Sequence, residues 1–125
     1  MLYPSKIRRL KENEKRVKNQ LQAVLSPCLG SNTRDVLAPE QAAAKAACSE
    51  VLRILKGCEP DTLHSSGAGR YQLAYLNEIS ELWLALHRQS WTGACNALSD
   101  LIHFNLITQV AVRNNTIAVL EQFLI

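Results

Sequence analysis

An all-α fold, an antiparallel bundle of four or five helices, is what this sequence predicts, and three observations predict it. Apolar residues recur at steps of three and four over most of the chain. Pro27, Pro39 and Gly57 mark the ends of those periodic stretches. The interior must be filled largely by Leu, Ile, Val and Ala, since 125 residues hold only two Trp, three Tyr and two Phe, and that composition suits close-packed helices. With 47% apolar and 20% charged residues, the whole chain, 1–125, reads as one domain around one core.

The stretch 71–102 holds the clearest pattern. Tyr71, Tyr75, Leu76, Ile79, Leu82, Trp83 and Leu86 fall on one broad face of a 3.6-residue helix. The polar run His87-Arg88-Gln89-Ser90 interrupts it. Ser90 has the side chain of an N-cap, and Trp91, Ala94, Cys95, Leu98, Leu101 and Ile102 begin a second stripe. So short a break makes an antiparallel helical hairpin, placed at the centre of the bundle, with both tryptophans near its closed end. Trp83, inside its stripe, is expected in the core. Trp91, at a helix start, is expected to close the end of the bundle with its indole N–H in reach of a carbonyl or of solvent.

Ile7, Leu10, Glu14, Val17, Leu21, Val24 and Leu25 trace an amphipathic helix over about 5–25. Residues 1–20 carry Lys6, Arg8, Arg9, Lys11, Lys15, Arg16 and Lys18 against Glu12 and Glu14, so the basic charge of a chain of net +3 sits at one end. A solvated helix face accounts for that pattern, and so does an electrostatic contact with RNA, DNA or an acidic protein surface. Only Tyr3 interleaves with the basic residues, which argues against single-strand binding by base stacking.

Ser26-Pro27 ends this helix, because proline removes an amide donor and restricts the residue before it. Residues 28–38, with Gly30, Ser31, Asn32 and Asp35, read as a loop. Pro39 and Glu40 suit a helix start. Ala42, Ala43, Ala46, Ala47, Val51, Leu52, Ile54 and Leu55 supply its apolar face, and Gly57 stops it. The alanines imply close approach to a neighbouring helix. Residues 59–70 read as a connector with a capped turn at Pro60-Asp61-Thr62-Leu63. Beyond 105, Leu106, Ile107, Val110, Ala111, Ile117, Leu120, Phe123 and Leu124 fit a helix capped by Asn105, while 109–113 and 116–120 also fit two strands around Asn114-Asn115. The helical context favours a helix, since an isolated strand pair is marginal.

Reaction chemistry is not legible in any of this. Cys28, Cys48, Cys58 and Cys95 lack the density and close pairing of a disulfide scaffold, and Cys48 and Cys95, among alanines and leucines, read as small buried apolar groups carrying reduced thiols. Cys58 and His64 lack a second ligand pair for zinc. Asp61, His64 and Ser65 are hydrolase residue types crowded into one linker without a Gly-x-Ser-x-Gly elbow. Gly67-Ala68-Gly69 lacks the remainder of a phosphate loop and its lysine. His87 and His103 sit at helix ends, where an imidazolium favours the last carbonyls, and Asp100 pairs with His103 on one helix face. No catalytic residue, cofactor or metal is expected. No window offers the roughly 18 apolar residues of a membrane span, and the N-terminus lacks a signal peptide's apolar centre, so the chain is expected to be soluble and intracellular, cytoplasmic or nuclear.

Five helical segments, the fourth opening Ser90-Trp91-Thr92-Gly93-Ala94, resemble the helical domain of the steroid receptor RNA activator protein and the similar domain that closes the COPII outer-coat subunit. Leu21 to Leu25 followed by Cys28, the helix over 47–55 and the helix over 79–86 running into the tryptophan turn match in kind, and the resemblance covers about 15–125. The final helix departs from the pattern near Val110, and the linker before Arg70 is long. What the resemblance implies is a protein-interaction bundle in transcriptional coactivation or vesicle-coat assembly, without catalysis.

Two function classes follow. The first is a non-enzymatic adaptor or scaffold domain that binds another protein within a larger assembly, with Trp91 as a candidate contact beside Trp83 and the last helix. The alternative is a nucleic-acid-associated protein using Lys6, Arg8, Arg9, Lys11, Lys15, Arg16 and Lys18, whose affinity would fall steeply with salt.

Overall fold

The computed structural model of the chain describes residues 4–29, 38–58, 72–103 and 110–124, with side chains described over 12–29, 38–58, 76–103 and 111–124. These residues form five α-helices: α1 (Pro4–Leu25), α2 (Ala38–Lys56), α3 (Gln72–His87), α4 (Trp91–His103) and α5 (Val110–Leu124). A single 3-10 turn, Ser26–Cys28, follows α1 where Pro27 breaks it. Among the described residues there is no strand, and α5 runs unbroken through Asn114-Asn115. The all-α bundle is as the sequence predicts. The linker residues Asp61, His64 and Ser65, and the positions Tyr71, Asn105, Leu106 and Ile107, lie outside the described residues.

The centre of the bundle is the pair α2 and α4. Helix α2 packs on α1, α4 and α5, and α4 on α1, α2 and α3. Both bury a run of small side chains: Ala44, Ala47 and Cys48 in α2, and Ala94, Cys95 and Ala97 in α4. Small side chains let two backbones approach, and here the Cys48 and Cys95 sulfurs lie 3.8 Å apart while the Cys95 thiol donates to the Ala44 carbonyl at 3.5 Å. Bulk enters around this seam, with Leu55 of α2, Leu98, Leu101 and Ile102 of α4, Leu21 and Leu25 of α1, Leu82 and Leu86 of α3, and Leu120 of α5 enclosed almost completely. Enclosing each such side chain contributes about 1.5–3 kcal/mol.

Two faces differ from the sequence reading. In α2, Ala42, Ala43 and Ala46 are exposed, and Ala44, Cys48, Val51 and Leu55 form the inner stripe with Ala47, Leu52 and Ile54. An alanine-rich run reads alike in every phase, because alanine has too little side chain to mark which way it faces. In α3 the expected broad stripe is narrow. Leu82 and Leu86 are buried and Ile79 partly so, but Leu76 is 48% exposed and Trp83 42% exposed. Trp83 is therefore not a core residue, and the expectation that it fills the interior is corrected. The cause is position: α3 packs chiefly on α4 and to a lesser extent on α5, at the edge of the bundle, so a narrow stripe meets these neighbours. The hairpin forms as expected, with its α4 arm central and its α3 arm peripheral.

The turn between those arms is closed by backbone and cap hydrogen bonds. The Ser90 amide donates to Ala85 O at 2.8 Å and the Gln89 amide to Leu86 O at 3.1 Å, a Schellman closure of α3, with Gln89 at φ 58° in the left-handed region. Ser90 then caps α4, its Oγ accepting the Gly93 amide at 3.2 Å. Gly93 leaves room for this: a Cβ there would stand 2.8 Å from Ser90 Oγ and 3.3 Å from Ala85 Cβ.

Two substitutions test the turn with opposite signs. Gln89→Gly should raise stability by about 1 kcal/mol by removing the left-handed penalty. Gly93→Ala should lower it by about 1–3 kcal/mol, despite alanine's advantage of about 1 kcal/mol in helix propensity, because the methyl displaces the capping hydroxyl. Urea denaturation of both variants beside the wild type reads the two shifts.

Candidate interaction surface

Helix α3 presents one inner edge and two outer flanks. Leu76 and Trp83 are seven residues apart, two turns and about 10 Å along one flank, and both are exposed. Trp83 is held there by aromatic contacts. Its ring lies 3.8 Å from the His87 ring at 50°, and His87 meets Phe123 of α5 edge-on at 5.2 Å. The ladder Trp83, His87, Phe123 thus crosses from α3 to α5, and Phe123 and Leu124 carry on into partly buried apolar surface. A large aromatic fixed by its neighbours yet open to solvent is an unusual use of a tryptophan. His87, expected to serve the helix end, stands in this ladder as the last residue of α3.

The opposite flank of α3, with Leu84 at 38% exposure, faces a polar cleft of about 710 Å³ shared with α4. Gln41, Glu78, Glu81, Arg88, Asn96 and Asp100 stand on its walls. Partial burial pushes the Glu78 carboxyl above the usual glutamate range, and the neighbouring Asp100 charge pushes it further in the same direction. The helix end beside the cleft is closed. Gln41 Oε1 accepts the Trp91 amide at 2.7 Å and the Thr92 amide at 3.4 Å, and Gln41 Nε2 reaches Thr92 Oγ1 at 3.3 Å. With Ser90 on the Gly93 amide, the first three amides of α4 all have acceptors, so this terminus has no free amides with which to hold an anion.

The C-terminal end of α2 is closed by a second tertiary cap. Arg113 of α5 donates from Nη1 to Leu55 O at 3.3 Å and Cys58 O at 3.2 Å, which sets a guanidinium on the negative end of the helix. Its Nη2 bonds Asn114 Oδ1 at 2.9 Å, and its Nε is buried without a partner. Lys56 and Glu121 join the same two helices at 3.0 Å. Neither Gln41 nor Arg113 stands out in the sequence, where one is a polar residue in an alanine run and the other a lone arginine among aliphatics. Their roles exist only once distant segments meet.

Trp91 is half-buried at the first position of α4, packed against the core, with Lys45 Nζ 5.4 Å from its ring centroid. Of the basic residues named from sequence, Lys15 and Arg16 are exposed on α1 and Lys18 is half-buried. The side chains of Lys6, Arg8, Arg9 and Lys11 lie outside those described. All four cysteines are free thiols. Among the described residues no cluster of three His, Cys, Asp or Glu side chains is arranged to hold a metal ion, and no helix is long and apolar enough to cross a membrane.

Compared with known proteins, the chain matches no family model, no curated protein and no solved structure.

The cleft carries a pH prediction. The folded Glu78 pKa is raised, so its contribution to stability is present at low pH and lost as the pH rises through the folded value. Glu78→Gln, uncharged throughout, should melt above the wild type at pH 7, and that advantage should vanish below about pH 4, where the wild-type carboxyl is protonated. Thermal melts at the two pH values check the sign and its reversal.

Proposed function

We propose that the chain is a non-enzymatic helical interaction domain, an adaptor or scaffold element within a larger assembly, and that its contact surface is the Leu76–Trp83 flank of α3 with Phe123 of α5 behind it. The single observation that supports this reading is the exposure of Trp83, 42%, on a helix whose inner edge is already satisfied by Leu82 and Leu86. Tryptophan is the residue type most enriched at energetic centres of protein interfaces, where a large rigid ring is desolvated at little cost in side-chain entropy. His87 and Phe123 fix the ring in advance, which lowers the ordering cost of binding. An interaction role without catalysis is also what the resemblance to the steroid receptor RNA activator and COPII coat domains implies.

The second reading, contact with RNA or DNA through the basic face of α1, rests on the charge at that end of the chain and on the exposure of Lys15 and Arg16. It predicts a different dependence on salt.

Trp83→Ala should leave the fold within about 1 kcal/mol of wild type, as for other substitutions outside the core, and abolish capture of a protein partner from native lysate. Trp91→Ala, at a packed position, should cost about 1–3 kcal/mol. Thermal melts paired with pull-downs, the bound chains identified by mass spectrometry, separate the cases. Undiminished capture by Trp83→Ala would remove this flank from the account. Retention of bulk nucleic acid, lost as salt rises, would favour the basic helix instead.

A further inference from the structure

One flank of α3 has the pattern of a helix-packing face and is open to solvent. Leu76, Ser80, Trp83 and His87 recur along it at steps of four, three and four, the spacing by which one helix lays a seam against another. All four are exposed. None of them is Lys, Arg, Asp or Glu, whereas the two carboxylates of the helix, Glu78 and Glu81, stand on the wall of the cleft shared with α4. Lengthwise, then, α3 divides into a buried edge of Leu82 and Leu86, an acidic flank towards the cleft, and an uncharged seam.

The seam is complementary to itself. Leu76 and Trp83 stand about 5 Å on either side of a midpoint between Ile79 and Ser80. A second copy turned about a two-fold axis through that midpoint runs its α3 antiparallel to the first, and Leu76 of each protomer meets Trp83 of the other. Such a contact is closed, each pairing occurring twice. Ser80 falls beside the axis, where a small side chain lets the two helices approach. In a parallel pair the two Trp83 rings would stand at one level and the two Leu76 at another, with a gap at Ser80. The antiparallel register spreads bulk evenly along the seam and sets the two helix dipoles in opposition.

We propose that this flank binds a second copy of the chain, forming a two-fold dimer in which Leu76 of one protomer packs on Trp83 of its partner. The proposal rests on the reading of the Leu76–Trp83 flank as the contact surface, and names its occupant. No like charges meet across the seam, because its described positions carry no Lys, Arg, Asp or Glu. The area fits a reversible pair. Sixteen residues of α3 give a face about 24 Å long and about 10 Å wide, a footprint of about 240 Å² per copy. The strip of α5 joined to it through His87 and Phe123 roughly doubles this, to about 1,000 Å² over both copies. That reaches the lower bound of specific interfaces and falls short of the roughly 1,600 Å² of a standard one, so a dissociation constant of about 1–100 µM is expected.

The test is sedimentation equilibrium of the intact chain from about 1 to 300 µM, a range that spans the expected constant. The mass should rise with concentration from 13.9 kDa towards twice that value. Leu76→Lys and Trp83→Glu should each weaken association by about tenfold or more, since each puts a charge opposite an apolar side chain at both pairings. A one-to-one mixture of the two variants should associate again. The mixed dimer keeps one Leu76–Trp83 pairing and brings the two introduced charges, of opposite sign, together at the other, which only the antiparallel register does. Both positions are exposed, and circular dichroism checks that each variant keeps its helices. A wild-type chain still monomeric at the highest concentration would overturn the proposal, and so would a mixture no more associated than its components or a single variant that dimerises like the wild type. Those results remove the second copy as the occupant and leave the contact surface standing if Trp83→Ala loses a different protein from native lysate. Undiminished capture by Trp83→Ala removes the surface itself, and the dimer with it.

Discussion

The close approach of α2 to α4 is the constraint on which the rest of this bundle depends. Ala44, Ala47 and Cys48 on one helix and Ala94, Cys95 and Ala97 on the other leave no room for bulk, and sulfurs at 3.8 Å mark how near the helices come. Once that distance is set, the remaining helices have fixed places. Leu21 and Leu25 bring α1 against the pair, Leu82 and Leu86 bring α3 onto α4, and Leu120 brings α5 onto α2. Interiors packed to this density tolerate little change in volume. A larger residue at Ala44 or Ala94 would move helices and not just a side chain.

Two tertiary caps fasten α2 to its neighbours, one to α4 and one to α5. Gln41 of α2 accepts the first two amides of α4, and Arg113 of α5 donates to the last carbonyls of α2. An isolated helix leaves such groups to water. Here the start of α4 and the end of α2 are closed in part by a side chain from another segment, so these ends depend on helix packing. The unpartnered Nε of Arg113 shows the order of priority: the guanidinium is placed by the helix end, and one of its donors is left without an acceptor.

Much of this is legible in the sequence because it rests on local rules. Ser90 caps α4, Ser26-Pro27 ends α1, Gly57 follows the end of α2, and 110–124 is helical, all from residue type and spacing. What fails to read correctly is phase and depth. Ala42, Ala43 and Ala46 cannot be told from Ala44 and Ala47, since a methyl marks no direction. Trp83 sits one position from Leu82 and so falls inside any broad apolar stripe, and only the placement of α3 at the edge of the bundle decides that it faces outward. Gln41 and Arg113 carry no local signal. The same edge placement creates the candidate contact surface, so a residue whose depth the sequence misplaces is also the one on which the functional reading turns.

Native-state hydrogen exchange tests the central claim most directly, because it measures the opening free energy of each helix separately. If the α2–α4 seam carries the bundle, the amides of 44–55 and 94–102 should be the slowest and should share one opening free energy, equal to that of global unfolding. Those of α3 around Leu76 should exchange through smaller openings. Amides of α3 that outlast those of α4, or α2 and α4 opening at well separated free energies, would contradict it.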